Sequence, residues 1–277
     1  MDSSYGKSAR YLGDAGEEYF AWQRTSGDTE GRINARSFQQ YIEERDSVLD
    51  FGCGGGFLLK NIRCARRLGV EINPMAREVA RENGTECYAS LSELTDVQVD
   101  VAISNHALEH VPYPTQALSE LRHILKPDGT LVLKLPIDDW RVQQKINPDD
   151  INHHLYTWTP QLLFNCLQEA GFDKSQINIG VITHAWFPGA IQVYQRYLIP
   201  EVIFDFGCRL FAALKRRRQL FAVAGNHRHG LARLRLRCPT GPPVAWCAVT
   251  ALGLTPGLVS VVATAQGPTT MPAKKLR

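Results

Sequence analysis

Between residues 47 and 136 the apolar positions follow two rhythms. Short apolar runs, each bounded by turn-forming or polar residues, sit at Ser47–Phe51, Leu68–Ile72, Glu86–Ala89, Val99–Ser104 and Thr130–Leu135. Runs of this length and β-branched content predict strands buried on both faces. Between them the spacing turns helical. Phe57–Arg67 reads as one helix. Pro74 opens a second, which Asn83 and Gly84 close, because proline suits a first helical position and glycine a last. A third covers Thr115–Leu125, with Ala117, Leu118, Leu121, Ile124 and Leu125 on one face. Lys126–Gly129 reads as a turn. Strands that alternate with helices predict βαβ units and a parallel sheet, hence an α/β fold with helices on both faces.

Beyond Pro136 the rhythm changes. Residues 137–158 are polar and aromatic, a long connection of the kind that borders a site. Thr159–Ala170 is a capped helix that Gly171 stops, and Gln176–Ile182 is a sixth strand. Residues 188–218 read as helical with a break at Pro200, and Arg218–Ala224 as a seventh strand. Within Glu201–Leu214 the apolar positions 202, 203, 206, 210, 211 and 214 share a face, and Lys215–Arg218 adds a basic flank. Such a helix suits an anionic membrane surface, its own domain or a second subunit of a homodimer. Residues 226–277 lose the pattern altogether, and they read as a basic, apolar and poorly ordered tail.

Charge sharpens that division. Residues 1–205 hold 19 Lys and Arg against all 28 acids, a net −9, whereas residues 206–277 hold 12 Lys and Arg and no acid. No nucleic-acid motif or aromatic interleaving accompanies the basic stretch, so no nucleic-acid partner is expected. The seven cysteines form no Cys-x-x-Cys pair, which disfavours a zinc finger or a disulfide framework and fits reduced thiols in a cytoplasmic protein. The N-terminus shows no apolar leader.

The chemistry starts at Asp50-Phe-Gly52-Cys53-Gly54-Gly-Gly56, where the first strand ends. Glycines there allow a sharp turn and close approach to a ligand. Glu71 follows Gly52 by 19 residues, and an acid at about that distance accepts hydrogen bonds from ribose hydroxyls. The spacing suits a nicotinamide dinucleotide as well as S-adenosylmethionine.

Four segments in order, VLDFGCGGG, LGVEINP, VDVAISNHALEHVPYP and ELRHILKPDGTLVLKLP, decide between them. They resemble the successive core motifs of the class I S-adenosylmethionine-dependent methyltransferases over roughly residues 36–136. EHVPYP is similar to the small-molecule branch that includes the ubiquinone-pathway O-methyltransferases. The resemblance implies a Rossmann-like, mostly parallel seven-stranded sheet whose last strand is antiparallel and lies beside the sixth. It implies a catalytic domain over 36–225 with a helical insertion at about 187–217, and an N-terminal helical lid over 1–35 that carries Tyr19, Phe20 and Trp22. Position by position, Asp50, Gly52, Cys53, Gly54 and Gly56 form the cofactor loop, and Asp50 takes the cofactor's ammonium group. Glu71 binds the ribose and Ile72 packs on the adenine. Asn105 borders the methionyl end. The acid often found after the third strand is replaced by Ala89-Ser90-Leu91, which leaves Ser90 and Leu91 to read the adenine.

Methyl transfer is an in-line displacement in which the protein aligns the partners and, for a hydroxyl acceptor, removes a proton. Histidine suits that task. His106 follows the fourth strand, and His153 and His154 lie in the connection after the fifth, beside Tyr156 and Trp158. Both connections leave from carboxyl ends of strands, where open sheets bind ligands. These three are the candidate catalytic residues for a small-molecule acceptor. A metal on Glu109 and His110 with Asp138 or Asp139 is chemically open, but the spacing demands none and no metal is assigned. Two other functions compete. A nicotinamide-dependent oxidoreductase would need a Tyr-x-x-x-Lys pair, which the chain lacks. A non-catalytic protein that keeps the cofactor is the other.

Overall fold

The computed structural model describes residues 9–225, apart from 139–143, 149, 185–187, 198 and 215–216. The expectations for residues 226–277 lie outside the described residues. Seven strands form one sheet: β1 (Ser47–Phe51), β2 (Arg66–Val70), β3 (Glu86–Tyr88), β4 (Val99–Asn105), β5 (Leu125–Pro136), β6 (Ile177–Thr183) and β7 (Arg218–Gly225). Their order is β3-β2-β1-β4-β5-β7-β6. The first five pair in parallel, while β7 runs antiparallel between β5 and β6. This is the Rossmann-like arrangement that the motifs imply.

Strand alternation sends neighbours to opposite faces. Leu131 and Leu133 of β5 join Leu49, Leu68 and Ala102 under α3 (Pro114–Ile124) and α4 (Pro160–Glu169), with Trp158 wedged beside them. Val132 joins Val48, Val101, Ile103 and Phe221 on the other face. A long helix, α1 (Gly13–Gln39), covers that second face through Ala35 and Phe38. It therefore runs past residue 35, where the lid was expected to end. Lys134 points to the same face. It is buried, its Nζ donates to Asn34 Oδ1 at 2.8 Å, and burial pushes its pKa down to about 7.

Three local expectations are corrected. Phe57–Arg67 is not a helix but a series of turns with one 3-10 turn at Leu59–Asn61. Side chains capture the carbonyls that a helix would have used. Arg67 donates to the carbonyls of Leu59 and Ile62, and Asn61 Nδ2 to that of Phe57. The segment also lies against α1 at Gly27 and Gly31. A Cβ on Gly31 would come within 2.2 Å of the Phe57 carbonyl oxygen, so only glycine lets the two backbones approach this closely. The second strand ends at Val70, which leaves Glu71 and Ile72 in the loop that leads to α2 (Pro74–Glu82). Lys126–Gly129 belongs to the start of β5, where the β4–β5 register shifts between Val99 and Val101. Lys126 anchors it by placing Nζ 2.9 Å from both Asp100 carboxylate oxygens.

The insertion before β7 forms α5 (Pro188–Tyr197) and α6 (Glu201–Leu214), broken near Pro200 as expected. Phe204, Cys208 and Ala212 pack on Ile191 and on Ile33 of α1, while Val202, Ile203, Phe206, Leu210 and Leu214 are exposed. Among the described residues, no helix is long and apolar enough to cross a membrane.

Candidate active site

The carboxyl ends of β1, β2 and β4 open onto a cavity of about 830 Å³. The connections after β1, β2 and β3 contribute Gly52, Glu71, Ile72, Ser90 and Leu91 to its wall, and the connection after β4 contributes His106, His110, Val111 and Tyr113. Tyr11, Tyr19, Phe20 and Gln23, from the N-terminal segment and α1, close it from above. The sheet topology forces this arrangement. The connections from β1 and β4 leave side by side because the chain reverses its crossover direction there.

Glu71 organises the first end. Its Oε2 accepts from Gly54 N at 3.0 Å and its Oε1 from Asn73 N at 2.9 Å. One carboxylate thus ties the glycine turn to the start of α2. Burial raises the Glu71 pKa, and those backbone hydrogen bonds oppose the rise. Gly52 has φ +76°, and a Cβ there would meet the Ala107 Cβ at 2.4 Å; the turn needs left-handed backbone and has no room for a side chain. Asp50 is buried, with Oδ1 unpartnered among the described residues. Burial, then the nearby Glu71, pushes its pKa up to about 8.

Of the expected cofactor residues, Gly52, Glu71, Ile72, Ser90 and Leu91 line the cavity. Asp50, Cys53, Gly54, Gly56 and Asn105 neighbour these residues in the chain and are not part of the lining. Cys53 Sγ rests 3.5 Å from Cys87 Sγ.

The second end is built from histidines around one acid. Glu109 is fully buried, and neither carboxylate oxygen has a hydrogen-bond partner among the described residues. His106 Nδ1 lies 3.5 Å and His110 Nε2 3.9 Å from its Oε1. The outer nitrogen of His106, Nε2, sits 3.0 Å from Gln219 Oε1 on β7. A carbonyl oxygen only accepts, so the proton of neutral His106 is on Nε2 and its Nδ1 carries the lone pair. His110 Nδ1 is 2.7 Å from the Tyr11 hydroxyl and 3.5 Å from the His153 carbonyl. His154 packs against His110 with ring centroids 5.1 Å apart, and its Nδ1 meets Asp138 Oδ2 at 2.8 Å. Burial lowers the His110 pKa. For His154 burial also acts downward, but the bond to Asp138 and the surrounding carboxylates outweigh it, and the pKa rises.

Of the three candidate histidines, then, His106 lines the cavity and His154 stands behind His110. The His153 ring is not part of the wall; its carbonyl faces His110 instead. His106 and His153 are the non-glycine residues with positive φ, 56° and 48°, among those described. Such backbone is costly and persists only where its surroundings hold it. Sequence reasoning missed Gln219. Its signal was a polar residue that follows Arg218 at the head of the strand RQLFAVA, whose remaining residues are apolar. It also missed the Tyr11 contact, which joins residues 99 positions apart.

A family model described as a methyltransferase domain matches residues 14–177. The chain belongs to this family. It is a class I S-adenosylmethionine-dependent methyltransferase. The ubiquinone biosynthesis O-methyltransferase of Haemophilus ducreyi is 31% identical over 102 residues, which cover 31% of this chain and 43% of that protein. The ribosomal protein L11 methyltransferase of Thermosipho africanus is 32% identical over 117 residues, covering 39% and 44%. The chain spans less than half the length of these curated relatives. A methyltransferase from Archaeoglobus fulgidus superposes with a TM-score of 0.51 at 19% identity, covering 75% of this chain and 99% of the other. The plantazolicin methyltransferase, solved with a desmethylplantazolicin analogue and S-adenosylhomocysteine, gives 0.54 at 11%, covering 78% and 92%. At these identities the likeness concerns the fold.

Proposed function

We propose that this methyltransferase transfers the methyl group of S-adenosylmethionine to a hydroxyl oxygen of a small-molecule acceptor such as a sugar or quinone precursor. The observation that carries the reading is one cavity whose wall includes both Glu71 and Ile72 and the post-β4 histidines His106 and His110. Its size suits a cofactor with a small acceptor. The adenosyl group lies on Ile72, Ser90 and Leu91, with its ribose on Glu71. Asp50, beside the glycine turn, takes the ammonium group. The sulfonium methyl then faces the post-β4 histidines.

The protein's part is alignment and proton removal. His106 is the base of this reading, because it lines the cavity and Gln219 fixes its tautomer with the lone pair on Nδ1. His154 and the His153 backbone hold His110 from behind. Tyr11 and Tyr19 cover the acceptor and exclude water. The relatives named O-methyltransferases support oxygen as the target. The exposed apolar edge of α6, with the basic run after it, supports contact with an anionic membrane surface or a second subunit.

The test is methyl transfer from labelled S-adenosylmethionine into a metabolite extract, followed by mass spectrometry. Products about 14 mass units heavier are expected, as the added methylene requires. Tight cofactor binding without any labelled product would sink the catalytic reading and leave a cofactor-binding protein.

A further inference from the structure

We propose that Glu109, His110 and His154 bind a divalent transition-metal ion of the zinc type, in the wall between the cofactor cavity and the loop that follows β5. One donor atom from each of the three lies within 4.8 Å of the other two. The inference rests first on Glu109, which is 0% exposed with both carboxylate oxygens unpartnered. A buried carboxylate left so is costly and calls for a cation. Of the proposed ligands, His110 Nε2 lies 3.9 Å from Glu109 Oε1, whereas a charge-assisted hydrogen bond would be about 2.7–2.9 Å. Two ligands about 2.1 Å from a shared tetrahedral ion stand about 3.4 Å apart. The spacing therefore fits an ion between the groups better than a proton.

The outer contacts point the same way. Asp138 Oδ2 holds His154 Nδ1 at 2.8 Å, which puts that imidazole's proton on Nδ1 and the lone pair on Nε2. The Tyr11 hydroxyl donates to the Asn152 carbonyl at 3.3 Å. With an ion bound, His110 Nδ1 would be the donor to the Tyr11 oxygen and the His153 carbonyl, and Nε2 would keep the lone pair. Each histidine thus spends its proton on an outer partner, the usual support of a ligating imidazole. Two imidazoles and one carboxylate suit zinc, cobalt or iron, and offer too few oxygens for calcium or magnesium. Three protein ligands leave a position open. His110 also lines the cavity, so an acceptor hydroxyl has access to that position and is acidified there. Only this last use rests on the proposed function. His154 lies 44 residues beyond His110, and Asp138 serves as an outer partner rather than a ligand, so no spacing motif marks the site.

The test uses the full chain, stripped with a chelator and titrated with Zn²⁺ and with Mg²⁺ in a calorimeter. Mass spectrometry counts bound metal after gel filtration, and Co²⁺ substitution reports geometry. Expected are about one zinc per chain, negligible magnesium and a four-coordinate cobalt spectrum. Glu109→Gln and His154→Ala should each abolish this binding, and Asp138→Asn should weaken it about 10–100-fold. His123→Ala, at an exposed site on α3, should change nothing. Substoichiometric zinc, a six-coordinate cobalt spectrum, equal binding of magnesium, or unchanged affinity in a folded His154→Ala protein would each overturn the site. The cobalt spectrum needs no variant, so the proposal stays open to refutation if a substitution prevents folding. S-adenosylmethionine titrations on metal-free protein separate the two readings. Retained methyl transfer without metal binding removes the ion alone, whereas metal binding without transfer removes the catalytic function alone.

Discussion

The two ends of the cavity are built on different principles. At the β1–β2 end, backbone and one acid do the work. Gly52 supplies a left-handed turn, and the Glu71 carboxylate clamps Gly54 N and Asn73 N, all within some 20 residues of chain. At the β4–β5 end, side chains from four separated segments converge. Tyr11, Glu109, His154 and Gln219 meet there, and the centre is a buried carboxylate without a hydrogen-bond partner among the described residues. The contrast follows from the ligands. The cofactor does not vary, so a local backbone cradle suffices for it. Acceptors vary from one methyltransferase to another, so that half depends on placed side chains.

The sharpest way to break this comparison is Glu109→Gln. Turnover should fall about 10²–10⁴-fold, the usual range for loss of a proton-handling or electrostatic group. S-adenosylmethionine affinity should stay within about twofold by calorimetry. Equal losses in both would mean that the two ends are one unit. The reciprocal change is Glu71→Ala, which removes the two ribose hydrogen bonds proposed for it and frees the glycine turn. It should weaken cofactor binding by about 2–3 kcal/mol, roughly 30–150-fold, while turnover at saturating cofactor changes little. Unchanged binding would overturn the ribose assignment.

A third substitution probes what holds the two ends under one roof. Gly31→Ala pushes a methyl group into the Phe57 carbonyl. It should cost about 1–3 kcal/mol in urea unfolding, as overpacking does. Unaltered stability would mean that α1 shifts freely over the turn.

The smallest effect concerns protons at the cofactor end. Asp50 has its pKa raised to about 8, so without cofactor it is mostly protonated at pH 7. Pairing with an ammonium group needs the carboxylate. Cofactor affinity should therefore rise about fivefold from pH 7 to pH 8, since the ionised fraction rises by that factor, and Asp50→Asn should flatten the profile. The same raised pKa means that folding stability from this group falls as pH rises from about 4 towards 8. A flat profile in the unaltered protein would remove Asp50 from ammonium binding.

The sequence by itself determined the α/β class, the number of strands, the glycine turn with Glu71 after it, and the helical insertion that ends at β7. These depend on periodicity, on glycine at positions that exclude a side chain, and on spacings within one βαβ unit, all of which are local. It misplaced the segment after the turn. Phe57–Arg67 has helical composition, but Arg67, Asn61 and the close approach of α1 offered its carbonyls better partners. Only the tertiary structure decided which histidine lines the cavity, that Gln219 fixes its tautomer, and that Glu109 is sealed from water. Those facts depend on segments about 45 to 140 residues apart meeting at the strand ends, and nothing within either segment encodes the other's position. Burial then gives each group its charge preference, because the cost of a charge depends on what surrounds it.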